Sequence, residues 1–182
     1  MPRRRFGQID MTRAVVRQEE WGAWLGREIE RLGKEFYSDP KNCVDPEHRP
    51  FDFDRELFMQ LATAGFVKIV TARRDAELVG CMLWTVQKNI ESKRCLIASP
   101  IWYVKKTAPW KTAWDLWCFS LEMLGDLGVH AVFPQHNVGD KGLERFFTGW
   151  GAKPVQVIYY KWTGSKKYYY DIWTDKMVPS EA

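Results

Sequence analysis

Residues 94–104 read RCLIASPIWYV, and the reading of this stretch decides the fold. Its apolar residues fall on both faces, as in a strand buried inside a sheet. Pro100 stands in the middle. A proline donates nothing to a ladder, so inside a central strand it demands a bulge or a break.

Upstream, Phe66–Thr71 and Glu77–Gln87 also read as strands, with Arg73-Arg74-Asp75 as the turn between them. Three strands in series predict an antiparallel meander. Downstream the period changes. Pro109 opens a helix at its first turn, Trp114, Trp117, Cys118, Leu121 and Leu124 form its apolar stripe, and Gly128 ends it. Val129–Phe133 is a short strand stopped by Pro134. Asp140 caps a further helix with Leu143, Phe146, Phe147 and Trp150 facing inward and Gly151 at its end. Val155–Trp162 and Tyr168–Trp173 read as a closing strand pair.

Toward the N-terminus, apolar residues at Trp21, Trp24, Leu25, Ile29, Leu32 and Phe36 give helical spacing from Gln18 to Phe36. Residues 38–52 hold three prolines and form a long loop. Asp54 then caps a short helix that Gly65 ends. The order from residue 18 is α-α-β-β-β-α-β-α-β-β. It predicts an α/β (α+β) fold, a mixed central sheet of six to seven strands with helices on both faces and a bulged strand near Pro100. Residues 1–12 read as a basic arm, 13–174 as one domain and 175–182 as a loose tail.

The 182 residues suit a single domain that needs no disulfide or metal staple. The apolar fraction is 46% and the charged fraction 27%, ordinary for a folded soluble chain. No apolar run is long enough for a membrane span, and the first ten residues lack a secretory h-region. The expected place of work is the cytoplasm, or a particle assembled there. Cys43, Cys81, Cys95 and Cys118 form no CxxC, so neither a zinc site nor a redox pair is expected. Net charge is +4, mildly basic. That suits a polyanionic small molecule as well as a nucleic acid. No P-loop, GxGxxG, HExxH, Ser-His-Asp order or paired carboxylates occur. Ten tryptophans among 182 residues are the oddity: a Trp-rich core, or an aromatic wall around a ligand or partner.

With its element order, the chain resembles the GNAT superfamily of acyl-CoA-dependent N-acyltransferases from about Gln18 to Trp162. The segments that carry the resemblance are Glu77-Leu-Val-Gly-Cys-Met-Leu-Trp84, Ile101-Trp-Tyr-Val104 with a lysine-rich turn and helix after it, and Gly151-Ala152-Lys-Pro154. Divergent chains of this style are familiar among phage proteins. The resemblance implies that acetyl-CoA lies along Ile101, Trp102, Tyr103 and Val104. Its phosphates would meet Lys105, Lys106, Trp110, Lys111, Thr112 and Ala113, at the start of the following helix. Backbone N–H groups freed at Pro100 would polarise the thioester, and an amine would attack it directly without a covalent enzyme intermediate. Tyr103 and His136 are the candidate catalytic residues, and no metal is implied.

The sequence also departs from the family pattern. Ala108 stands where Gln or Arg is usual in the phosphate loop, and Lys111 where a glycine is usual. Pro109 removes a donor. Phe147 takes the place of a proton-giving tyrosine, with Tyr159 and Tyr160 as the nearby substitutes. Ala98 and Ser99 stand where an acidic base often lies. His136 follows a strand at the edge where α/β sheets bind ligands. Asp52 and Asp54 lie beside the expected acceptor pocket. The expected partner is an amine-bearing small molecule or protein. A fold kept as a virion or host-binding protein is the alternative. Nucleic-acid base modification is a third reading, supported by Arg3-Arg4-Arg5 and Lys166-Lys167 next to Tyr168-Tyr169-Tyr170.

Overall fold

The computed structural model describes residues 13–39, 42, 51–89, 96–109, 111–134, 141–153, 168–171 and 176–179. The elements are β1 (Val15–Glu19), α1 (Ala23–Tyr37), α2 (Arg55–Thr63), β2 (Val67–Arg74), β3 (Glu77–Lys88), β4 (Leu96–Val104), α3 (Thr112–Asp126), β5 (Val129–Val132), α4 (Lys141–Gly149), β6 (Tyr168–Asp171) and β7 (Lys176–Pro179). The first five strands form one sheet in the order β1-β2-β3-β4-β5. Neighbours in it are antiparallel except β4 and β5, which run parallel.

The meander is present as expected. The central sheet has five strands among the described residues, not six to seven. β6 pairs with β7 in a separate ribbon. That ribbon takes in residues 176–179, where the sequence suggests a loose tail. Residues 155–162, the expected partner of Tyr168–Trp173, lie outside the described residues.

Alternation along β2 and β3 divides the core in two. Val67, Ile69, Leu78, Cys81 and Leu83 pack with Leu25, Ile29 and Leu32 of α1. Val70, Ala72, Met82 and Trp84 pack with Leu116, Trp117 and Leu124 of α3 and Phe147 of α4. Helices therefore cover both faces, and β3 is buried from Leu78 to Trp84. Each such Leu or Ile contributes roughly 1.5–3 kcal/mol by burial. Cys81 is a wholly buried thiol, and burial pushes its pKa up to about 12. Cys118 is partly buried; Cys43 and Cys95 lie outside the described residues.

Gln18 and Glu19 belong to β1, not to the first helix, which starts at Ala23. A buried ion network holds this strand in place. The Arg73 side chain, 7% exposed, donates to Glu19 at 2.7 and 3.2 Å and to Glu28 of α1 at 2.7 and 3.3 Å. It also donates to the Ala76 carbonyl at 3.0 Å. Ala76 and Asp75 both have positive φ, +67° and +51°, and make a tight two-residue turn between β2 and β3. Burial acts to raise the Glu19 pKa, but hydrogen bonds from Arg73, Thr71 and Arg17 outweigh it and bring it down to about 2.

Candidate functional site

β4 is paired on both sides only at its start. β5 meets it at Leu96, Ile97 and Ala98, and the last rung is the Phe133 N–H donating to the Ala98 carbonyl at 2.8 Å. In a parallel ladder the next rung would run from the N–H of residue 100 to the Phe133 carbonyl. Residue 100 is proline and has no N–H. The ladder stops there. From Ser99 onward β4 keeps its partner β3, in unbroken register from Lys88↔Leu96 to Gly80↔Val104. The expected bulge at Pro100 thus takes another form. The irregularity lies between Leu96 and Ile97, where His130 is the extra residue of β5, and Pro100 acts by ending the ladder. Among the described residues no strand pairs with the β5-facing edge of β4 from Ser99 to Val104, and this unpaired edge is the wedge. The N–H of Trp102 points to the same side as the Ala98 carbonyl, into this wedge.

The wedge leads to the start of α3. The chain leaves β4 through Lys105, whose N–H donates to Val79, and turns through Ala108, whose N–H donates to Lys105. Pro109 sits in this turn and accepts from the Thr112 N–H at 2.8 Å, so α3 starts at Thr112 rather than at Pro109. Lys111 occupies the N-cap position, and no side chain caps the helix. An uncapped helix start offers N–H donors and positive potential to an anion. Thr112 is 1% exposed, and its hydroxyl has no hydrogen-bond partner. Ala113 is half-buried and Lys111 exposed.

Side chains of β4 alternate across the sheet. Ile101, 45% exposed, and Tyr103, 4% exposed, face α1 and α2. Tyr103 lies among Phe36, Tyr37 and Phe51. Burial, and then the nearby Tyr37, raise its pKa, so it keeps its proton. Trp102 and Val104 face α3 and α4. Trp102 meets Trp117, Phe146 and Phe147 at ring-centroid distances of 6.4, 5.8 and 5.8 Å. Phe147 is a core residue here, 5% exposed.

The two turn lysines are engaged with carboxylates. Lys105 reaches Glu77 at 2.7 Å and Glu35 at 3.7 Å, and Lys106 reaches Asp39 at 2.8 Å. His136, Trp110, Tyr159 and Tyr160 lie outside the described residues. His130 accepts from the Leu96 N–H at the closed end of the wedge. Asp54 caps α2 by accepting from the Leu57 N–H at 2.9 Å, and Asp52 is exposed. Among the described residues no group of His, Cys, Asp or Glu is placed to hold a metal, and no helix is long and apolar enough to cross a membrane.

Phe133, whose N–H makes the last described rung with β4, escapes the sequence, and so does the surface pair Trp114–Trp150, which the sequence assigns to inward helix faces and which is 46% and 40% exposed. Pro134, just past Phe133, was the available signal for the first. Two of the ten tryptophans were the signal for the second.

No protein-family model and no curated protein matches the sequence. Solved structures do. An aminoglycoside acetyltransferase from an uncultured soil metagenomic sample superposes with a TM-score of 0.65 at 15% identity, over 84% of this chain and 99% of that one. A ribosomal-protein-alanine N-acetyltransferase from Brucella melitensis gives 0.60 at 10% identity, over 82% and 98%. An aminoglycoside N-acetyltransferase solved with CoA gives 0.57 at 12% identity, over 81% and 98%. With its meander, its parallel β4–β5 wedge and helices on both faces, the chain has the fold of the GNAT acetyltransferases.

Proposed function

We propose that this chain is an acyl-CoA-dependent N-acyltransferase that uses acetyl-CoA and an amine-bearing small molecule or protein. One observation carries the proposal: the edge of β4 left unpaired after Ala98 is followed along the chain by the start of α3, which no side chain caps. A thioester arm needs backbone donors along one wall, and its phosphates need an anion site at the end. An unpaired strand edge and an uncapped helix start, in that order along the chain, support this reading.

In this reading the pantetheine arm lies along residues 101–104. The Trp102 N–H polarises the ligand's carbonyls, and the α3 start holds the phosphates. The amine attacks the thioester carbonyl, the C–N bond forms, the C–S bond breaks, and the thiolate takes a proton. Positioning and backbone polarisation supply the acceleration. Tyr103 keeps its proton but is sealed among aromatics, so its role is to shape the wall facing α1.

A second reading has support of its own. Lys105 and Lys106 are committed to carboxylates, and Phe147 sits in the core in place of an acid. A GNAT fold retained for binding a partner fits those facts. Calorimetric titration with acetyl-CoA separates the two. Saturable binding, weakened when the 3′-phosphate is removed, supports the enzyme, and release of free thiol with an amine completes the case. No heat at millimolar acetyl-CoA leaves the binding-protein reading.

A further inference from the structure

Two indoles stand half-exposed beside the start of α3. Trp114, on its first turn, is 46% exposed, and Trp150, just past the end of α4, is 40% exposed. Their ring centroids are 4.9 Å apart and the planes meet at 41°. Phe146 braces Trp114 edge-on at 5.6 Å. Phe146 also touches Trp102 and Trp117, so an unbroken aromatic run leads from the wall of the wedge to this ledge.

Large exposed aromatics are costly to leave in water, and here they adjoin an anion-accepting helix end. Flat aromatic surface next to a phosphate site is the chemistry that receives a nucleotide base. The ledge also answers a deficit at the site. With Lys105 and Lys106 paired to Glu77, Glu35 and Asp39, fixed positive charge is a weak anchor for the nucleotide end.

We propose that Trp114 and Trp150 seat the purine base of the acyl-CoA donor, and that stacking on this ledge holds the nucleotide half of the ligand. The proposal rests on the acyl-CoA reading above and goes beyond it by assigning the base to two residues. It also accounts for part of the tryptophan excess as binding surface.

The test is calorimetry on the full chain with two ligands, CoA and 4′-phosphopantetheine, which lacks the nucleotide. Wild type is compared with Trp114→Ala and, separately, Trp150→Ala, because Trp114 also packs against Phe146; melting curves check both. Loss of one base stack corresponds to about a tenfold weaker affinity or more. The expected result is that loss for CoA in both variants, with 4′-phosphopantetheine unchanged. Wild-type affinity for CoA in both variants overturns the ledge and leaves the donor reading standing. Equal loss for both ligands also overturns it, since the variants then act on the fold. If the wild-type protein binds neither ligand, the donor reading fails and the ledge with it. Capture of a partner through the exposed indoles would then be the remaining use for this surface.

Discussion

Arg73→Met removes the one cation shared by β1, β2 and α1 and keeps most of the side-chain volume. Two carboxylates, Glu19 and Glu28, with side chains 14% and 12% exposed, then lose their bidentate partner. The Ala76 carbonyl loses its donor in a turn with φ of +67°, and Trp24 loses the guanidinium 4.6 Å from its ring. Glu19 keeps the Thr71 hydroxyl at 2.6 Å and Arg17 at 3.0 Å, so the larger penalty falls on Glu28. Breaking a buried pair of this kind costs about 3–5 kcal/mol. That is a large share of the roughly 5–15 kcal/mol that holds a domain together. For a chain of this size it lowers the melting temperature by about 10 °C.

The pH dependence of the same substitution is fixed in sign. The Glu19 pKa is depressed from 4.5 to about 2, so its contribution is complete above pH 4.5 and disappears as pH falls toward 2. By linkage that contribution is on the order of 2–3 kcal/mol after allowance for solvent screening. The gap between wild type and variant must therefore narrow below pH 4.5. Urea unfolding of both proteins at pH 7 and at steps down to pH 3 measures it, with Arg13→Ala as the control. Arg13 pairs with Asp115 at an exposed site, and its loss costs under about 1 kcal/mol. An Arg73→Met effect no larger than that control, or a gap that widens toward acid, would refute the reasoning.

Two further perturbations address the wedge. Pro100→Ala restores an N–H opposite the Phe133 carbonyl. The new hydrogen bond, worth about 1 kcal/mol, is offset by a comparable loss of backbone restriction in the unfolded chain. Stability should stay within about 1 kcal/mol, while CoA affinity falls several-fold as β5 zips onto β4; unchanged affinity by calorimetry would disconnect the proline from the ligand. Gly80 lies opposite Val104, where an added Cβ would come within 3.1 Å of Leu116 Cδ1 and 3.3 Å of the Tyr103 carbonyl. Gly80→Ala should cost about 1–3 kcal/mol by overpacking the β3–α3 contact, read as a lower melting temperature.

Much of the fold is legible in the chain because its causes are local. Apolar runs of strand length from Phe66 to Val104, punctuated at Asp75, suffice for the meander. Asp54 three residues before Leu57 marks the start of α2, and Gly65, Gly128 and Gly151, at φ of +81°, +73° and +81°, mark helix ends that only a residue without a Cβ adopts at ease. The site was legible only in part. Pro100 and the helix after it stand out in the sequence, and only the resemblance implies a ligand beside them.

What the sequence could not show depends on residues far apart in the chain. The five residues of β1 carry no distinct periodicity, and the helix expected from Gln18 to Phe36 overlaps their end. They become a strand because β2 offers a free edge and Arg73 a partner 54 positions from Glu19. By itself Lys105-Lys106 reads as a solvated turn, and only the resemblance gives it to phosphates; folding brings Glu35 of α1, Asp39 just after it and Glu77 of β3 against the pair. Trp114 and Trp150, 36 positions apart, become one surface only once α3 and α4 pack together. Residue type and spacing determined the meander and the helices and singled out Pro100. Tertiary contact alone decided which charges are already satisfied and which aromatics meet, because those properties belong to pairs that the chain brings together only by folding.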